Sequence, residues 1–159
     1  MKIKKQEMIN LWNILEKLSK TSYPIKFSYF IAKNKSAIKD EVDILTELAK
    51  AGESFKLYDN KRAALARELS EKDPNGNPII QNNAYVLTEN QEAFDKQLEG
   101  LRIEYKKAIE NNDKKRDEVN KILQEDYEFK GFKIDMNNLP NELTPELMEM
   151  FLKTDLIEE

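Results

Sequence analysis

The chain has 159 residues, 40% of them hydrophobic and 35% charged, a formal net charge of −4, and neither cysteine nor histidine. That length fits one domain able to bury most of its apolar surface, and the apolar content is too high for a disordered chain. Disulfides, thiolate nucleophiles and Cys-based zinc sites are excluded, and the commonest general base and transition-metal ligand is missing.

Met8, Leu11, Trp12, Leu15 and Leu18 recur at helical spacing, with Ile9 and Ile14 widening the stripe, and predict a helix from about Lys5 to Leu18. Ser19-Lys20-Thr21-Ser22 ends it. Pro24 suits the first turn of a second helix, whose seam begins with Phe27, Phe30 and Ile31 and can continue through Ile38, Val42, Leu45 and Ala49. Asn34 falls on that stripe as either a polar break or a helix end. After Gly52, the residues Phe55, Tyr58, Leu65, Ala66 and Leu69 give a third helical stripe.

Asp73-Pro74-Asn75-Gly76-Asn77-Pro78 is a dense turn signal. Ile79-Ile80 and Tyr85-Val86-Leu87 flank Asn82-Asn83 and predict a short hairpin. Thr88 and Gln91 have the spacing of a capping box opening a fourth helix. Phe94, Leu98, Leu101, Tyr105 and Ala108 follow as a narrow coiled-coil-like seam, which Asn111-Asn112-Asp113 can break before Val119, Ile122 and Leu123. Tyr127, Phe129, Phe132 and Ile134 predict a second small β element, with Gly131 shifting the alternation as a bulge or turn would. Thr144 and Pro145 open a last short helix. The expected fold is mainly α, a bundle of five to six helices with a minor β-hairpin component, in a single domain over residues 1–159. Residues 135–159 form a candidate C-terminal appendage.

No apolar run reaches the roughly 18–20 residues that span a bilayer, and the basic N-terminus has no hydrophobic region behind it. A cytoplasmic protein without membrane contact is expected. Charge is unevenly placed: residues 1–35 carry eight lysines against Glu7 and Glu16, while residues 135–159 carry seven acids against Lys153. These ends can pair within the fold, between copies or with partners, so self-association stays open.

Catalytic chemistry finds little footing. Asp73, Asn75 and Asn77 start like a calcium loop, but Pro78 and Ala84 stand where its glycine and bidentate glutamate belong, so a plain turn is expected. The clusters Asp40/Glu41/Asp43 and Glu125/Asp126/Glu128 could pair carboxylates, as thirty acids in a helical chain do by chance. Phosphate-loop, dinucleotide and nucleophile-elbow motifs are absent from the sequence. Neither an enzyme nor a cofactor or metal site is expected, an acid-based hydrolase being the residual catalytic reading. The N-terminal lysines could contact phosphates, but that stretch has no arginine and the overall charge is acidic, which disfavours direct nucleic-acid binding. Tyr29 neighbours the Phe27/Phe30/Ile31 face without belonging to it and is expected at the surface, where aromatics anchor interfaces; Trp12 and Phe30 are expected in the core. Candidate interface residues are therefore Tyr29 and Lys33, with Asp155, Glu158 and Glu159 from an acidic end lacking compensation.

Four segments carry a resemblance: Ile9 to Leu15, Tyr23 to Asn34, Glu71 to Pro78, and Leu139 to Leu147. Together they resemble a family of uncharacterised phage and prophage proteins of Gram-positive bacteria. The pattern is nearly full length, and the family is a domain of unknown function that supplies no catalytic residues. The resemblance implies viral origin, and for a non-catalytic binding module the expected partner is a host or phage protein. For a phage protein of this size, a chain that reads as compact and self-sufficient favours an inhibitor of a host defence system, of the anti-CRISPR type and acting by steric occlusion, over a virion-assembly or tail-module accessory protein, which would more often expose a long apolar seam or terminal arm.

Overall fold

The computed structural model describes residues 1–158, and its architecture is mainly α with a minor β component. In chain order the elements are β1 (Lys2–Lys4), α1 (Lys5–Leu18), α2 (Ile25–Ala49), α3 (Glu53–Leu69), β2 (Ile80–Gln81), β3 (Ala84–Tyr85), α4 (Gln91–Glu104), α5 (Lys106–Leu123), β4 (Asp126–Glu128), β5 (Ile134–Asp135), α6 (Pro145–Lys153) and β6 (Ile157–Glu158). Where length suggests one domain, the chain clusters into two compact units, Met1–Ala49 with Glu118–Glu159, and Lys50–Asp117. No helix among the described residues is long and apolar enough to cross a membrane.

In the first unit, Met8, Leu11 and Leu15 of α1 face Phe27, Phe30 and Ile38 of α2, all fully buried. Burying each such side chain is worth about 1.5–3 kcal/mol. Phe151 of α6 closes the cluster edge-on to Phe30, with ring centroids 5.3 Å apart, and Leu156 and Ile157 are buried beside it. The C-terminal segment thus belongs to this core. Thr144 caps α6 and Pro145 occupies its first turn, as the sequence predicts.

The N-terminal strand is not foreseen by the sequence, because three residues are too few for an alternation signal. β1 pairs antiparallel with β4 in the register Lys2↔Glu128, Ile3↔Tyr127 and Lys4↔Asp126, burying Ile3. Lys4 bonds Asp126 at 2.6 Å, and Lys5 bridges Glu125 at 3.0 Å and Glu41 at 3.1 Å. The Glu125 hydrogen bond, with Glu41 assisting against partial burial, raises the Lys5 pKa above its ordinary value. Lys35 pairs with Glu16. Part of the basic N-terminal third is therefore neutralised inside this unit, by acids of α1, α2 and the β4 region.

Helix α2 runs unbroken through Asn34 to Ala49. The β element expected around residues 127–134 does not fold on itself: β4 pairs with β1, and β5 pairs in parallel with β6. Gly131 lies between these strands. A Cβ there would collide with Leu156 Cδ2 and approach the Phe129 ring to 2.8 Å, so close approach of backbone to core explains the glycine.

The second unit is built on α3 packed along α4. Tyr58, Leu65 and Leu98 are its buried apolar residues among those described. Tyr58 meets Tyr105 at 5.9 Å between centroids, and Lys61 Nζ sits 4.9 Å from the Tyr105 ring centre. The β2–β3 hairpin turns at Asn82 (φ 50°) and Asn83 (φ 62°), the left-handed pair that a two-residue hairpin turn requires. The Thr88 capping box does not form. Asn90 is the residue before α4, and its amide donates to Leu69 O at 2.9 Å. The helical interruption falls at Tyr105, and Asn111-Asn112-Asp113 stay helical within α5.

Gly131→Ala should destabilise the protein by about 1–3 kcal/mol, the usual cost of overpacking a filled core. Urea unfolding followed by far-UV circular dichroism checks this. Gly100→Ala serves as the control, because a Cβ at that position would meet nothing within 4 Å.

Candidate functional site

The most developed surface feature lies in the first unit, where α2 meets the segment between β4 and β5. Asn34 organises it. Its side chain is fully buried, and a buried amide left without partners would cost about 1–3 kcal/mol. Its Nδ2 donates to Phe30 O at 3.0 Å and to Phe132 O at 2.8 Å, while its Oδ1 accepts from Phe132 N at 2.9 Å. Asn34 thus bonds the backbone of Phe132 as a neighbouring strand would. Two further ties hold the same segment. Phe129 exchanges backbone hydrogen bonds with Met1, and Ile134 N donates to Leu156 O at 2.9 Å.

With its backbone fixed, Phe132 keeps its side chain at the surface, 43% exposed. It meets Tyr29, itself 52% exposed, edge to face, with centroids 5.3 Å apart and planes at 89°. Lys33, one turn along α2, places Nζ 5.7 Å from the Tyr29 ring centre. The outcome is a preformed aromatic pair flanked by a cation. Trp12 packs half-buried against the core with Lys35 Nζ 5.4 Å from its ring, and Phe30 is fully buried.

Of the candidate interface residues, Tyr29 and Lys33 are brought together, and Phe132 joins them, although the sequence places Phe132 in a strand and gives it no surface role. Its signal lies in the neighbouring Gly131, which marks a backbone pressed onto the core. Asp155 is not the uncompensated acid the sequence predicts, because Lys133 bonds it at 2.7 Å. Lys133 follows Phe132 directly, so Asp155 attaches to the same segment. Asp155 adopts φ 51°, a left-handed conformation aspartate tolerates, at the turn from α6 to β6. Glu158 is exposed on β6, opposite Asp135 of β5. Glu159 lies outside the described residues.

Four of the six acids in the two clusters are engaged in ion pairs. Glu41 and Glu125 share Lys5, Asp126 holds Lys4, and Asp43 pairs with Lys39. No group of three or more metal-ligating side chains forms among the described residues. Asp73 accepts from the backbone amides of Asn75 and Asn77, each at 2.8 Å, and the Asn77 bonds chiefly hold its carboxyl below the usual range. That is a turn stabilised by its own side chain.

No protein-family model, curated protein or solved structure matches this chain.

Asn34→Ala should leave the Phe132 amide and carbonyl unpaired and lower stability by about 2 kcal/mol. Amide hydrogen exchange provides the local readout. Exchange at Phe132 should accelerate more than at Leu11, deep in the α1 core.

Proposed function

We propose that this chain is a non-catalytic protein-binding module that acts by occupying a surface of its partner. The observation that carries the reading is the Tyr29–Phe132 pair, two large aromatic side chains left at the surface while Asn34 and Gly131 fix the backbone beneath them. Surface aromatics on rigid supports are favoured binding anchors, because little conformational entropy is lost when they are covered.

The partner in this reading is a host defence effector, inhibited by steric occlusion of a channel or moving surface, as suits a compact binding module of the viral origin the resemblance implies. A second reading, an assembly factor, draws on the second unit. There α3 and α4 leave Leu57 51% and Ile103 70% exposed on a paired-helix scaffold with little buried apolar area of its own. Helical pairs of that kind gain stability when a further helix covers them.

Affinity capture of the tagged chain from infected host cells, read by mass spectrometry, separates the readings. Stoichiometric recovery of a host nuclease or defence complex is expected, with Tyr29→Ala and Phe132→Ala each lowering recovery by about tenfold or more, the scale of an interface anchor. Recovery of capsid or tail proteins, undiminished by these substitutions, would replace inhibition with assembly.

A further inference from the structure

We infer that the occupant of the Tyr29–Phe132 patch is an acidic segment of a protein, setting carboxylates against Lys26 and Lys33 and an apolar side chain over Ile25, Tyr29 and Phe132. The inference rests on reading this patch as a protein-binding face, and charge takes it further. Between Glu16 and Asp40 the chain has no acid at all, yet it has Lys17, Lys20, Lys26, Lys33, Lys35 and Lys39. Glu16 neutralises Lys35 and Asp43 neutralises Lys39. Lys26 and Lys33 have no carboxylate within ion-pair distance among the described residues.

Their placement follows from helix geometry. Lys26, Tyr29 and Lys33 stand three and four residues apart on α2 and share one stripe, and Ile25, one turn before Tyr29, is 85% exposed. Lys130, exposed and two residues before Phe132, adds positive charge on the neighbouring segment. An apolar strip bounded by uncompensated cations is complementary to a segment alternating acidic and apolar side chains. An acid on the partner gains at Lys26 and Lys33 an ion pair that no described acid of this unit makes.

The same ingredients raise the alternative of a nucleic acid, since bases stack on aromatics and lysines meet phosphates. The ring geometry favours protein. The rings stand at 89° to each other, so they offer no shared flat platform for consecutive bases, and Lys33 Nζ lies 5.7 Å from the Tyr29 ring centre. The first arginine is Arg62, so the patch also lacks the flat guanidinium groups that grip phosphates with two bonds.

The test is selection of peptides from a random display library on the immobilised full chain, with affinities of the enriched peptides then measured by fluorescence anisotropy. Enriched sequences should be acidic and should contain at least one large apolar residue. The double variant Lys26→Glu with Lys33→Glu should weaken the best peptide by about tenfold or more, and added salt should weaken binding to wild type. Tyr29→Ala should weaken it comparably, while thermal melting of the charge variant stays near wild type because those lysines are exposed. Enrichment without acidic bias, indifference to charge reversal, or tighter binding of an oligothymidylate at the same residues would overturn the inference. So would charge-dependent self-association at this patch, since the occupant would then be a second copy. If cell capture depends on Tyr29 but the library gives no acidic preference, the binding function stands and this inference falls. If capture does not depend on Tyr29, the reading beneath it falls as well.

Discussion

An amide buried in the side of a helix must find partners, and Asn34 finds them on Phe30 and on both backbone polar groups of Phe132. Much of the first unit's surface follows from that requirement. The bonds hold the segment after β4 against α2 without a strand between them, and the backbone passes so close to Leu156 and Phe129 that a Cβ at residue 131 would crowd both side chains. A leucine at position 34 would fit the apolar stripe but would abandon the Phe132 groups. The polar residue therefore stabilises where it looks, by sequence, like an interruption.

The two units solve the burial problem differently. The first draws β1, α1 and α2 together with β4, α6 and β6, so that side chains remote in sequence, such as Met8, Phe30 and Phe151, share one core. Its exposed apolar groups are then conspicuous, because the unit has interior enough without them. The second has a helical pair and a short hairpin, and its buried apolar residues are Tyr58, Leu65 and Leu98 among those described. Exposed apolar side chains are the default in so thin a unit, which is why Leu57 and Ile103 weigh less as signs of binding than Tyr29 and Phe132.

Local signals make much of the helical framework readable. The stripe from Met8 to Leu18, the Thr144-Pro145 opening and the Asn82-Asn83 turn each follow from spacing or from what a backbone conformation demands, and each is found. What escapes is non-local. β1 exists only because β4 lies beside it, and Asn90 spends its side chain on Leu69 while the Thr88 box stays unformed. At the candidate site, Tyr29 can be placed at the surface from its position beside the Phe27/Phe30 face. Phe132 cannot, because its exposure depends on Asn34, 98 positions away. Asp155 looks uncompensated by sequence for the same reason, its partner Lys133 lying outside the acidic stretch.

The aromatic pair is preformed, and Asn34 forms it. The most direct measurement is solution NMR of the free protein, following the Asn34 side-chain amide protons and the nuclear Overhauser effects between the Tyr29 and Phe132 rings. The account predicts slowly exchanging Asn34 amide protons and persistent cross-peaks between the two rings. Rapidly exchanging Asn34 protons, with the rings averaged and no cross-peak between them, would contradict it.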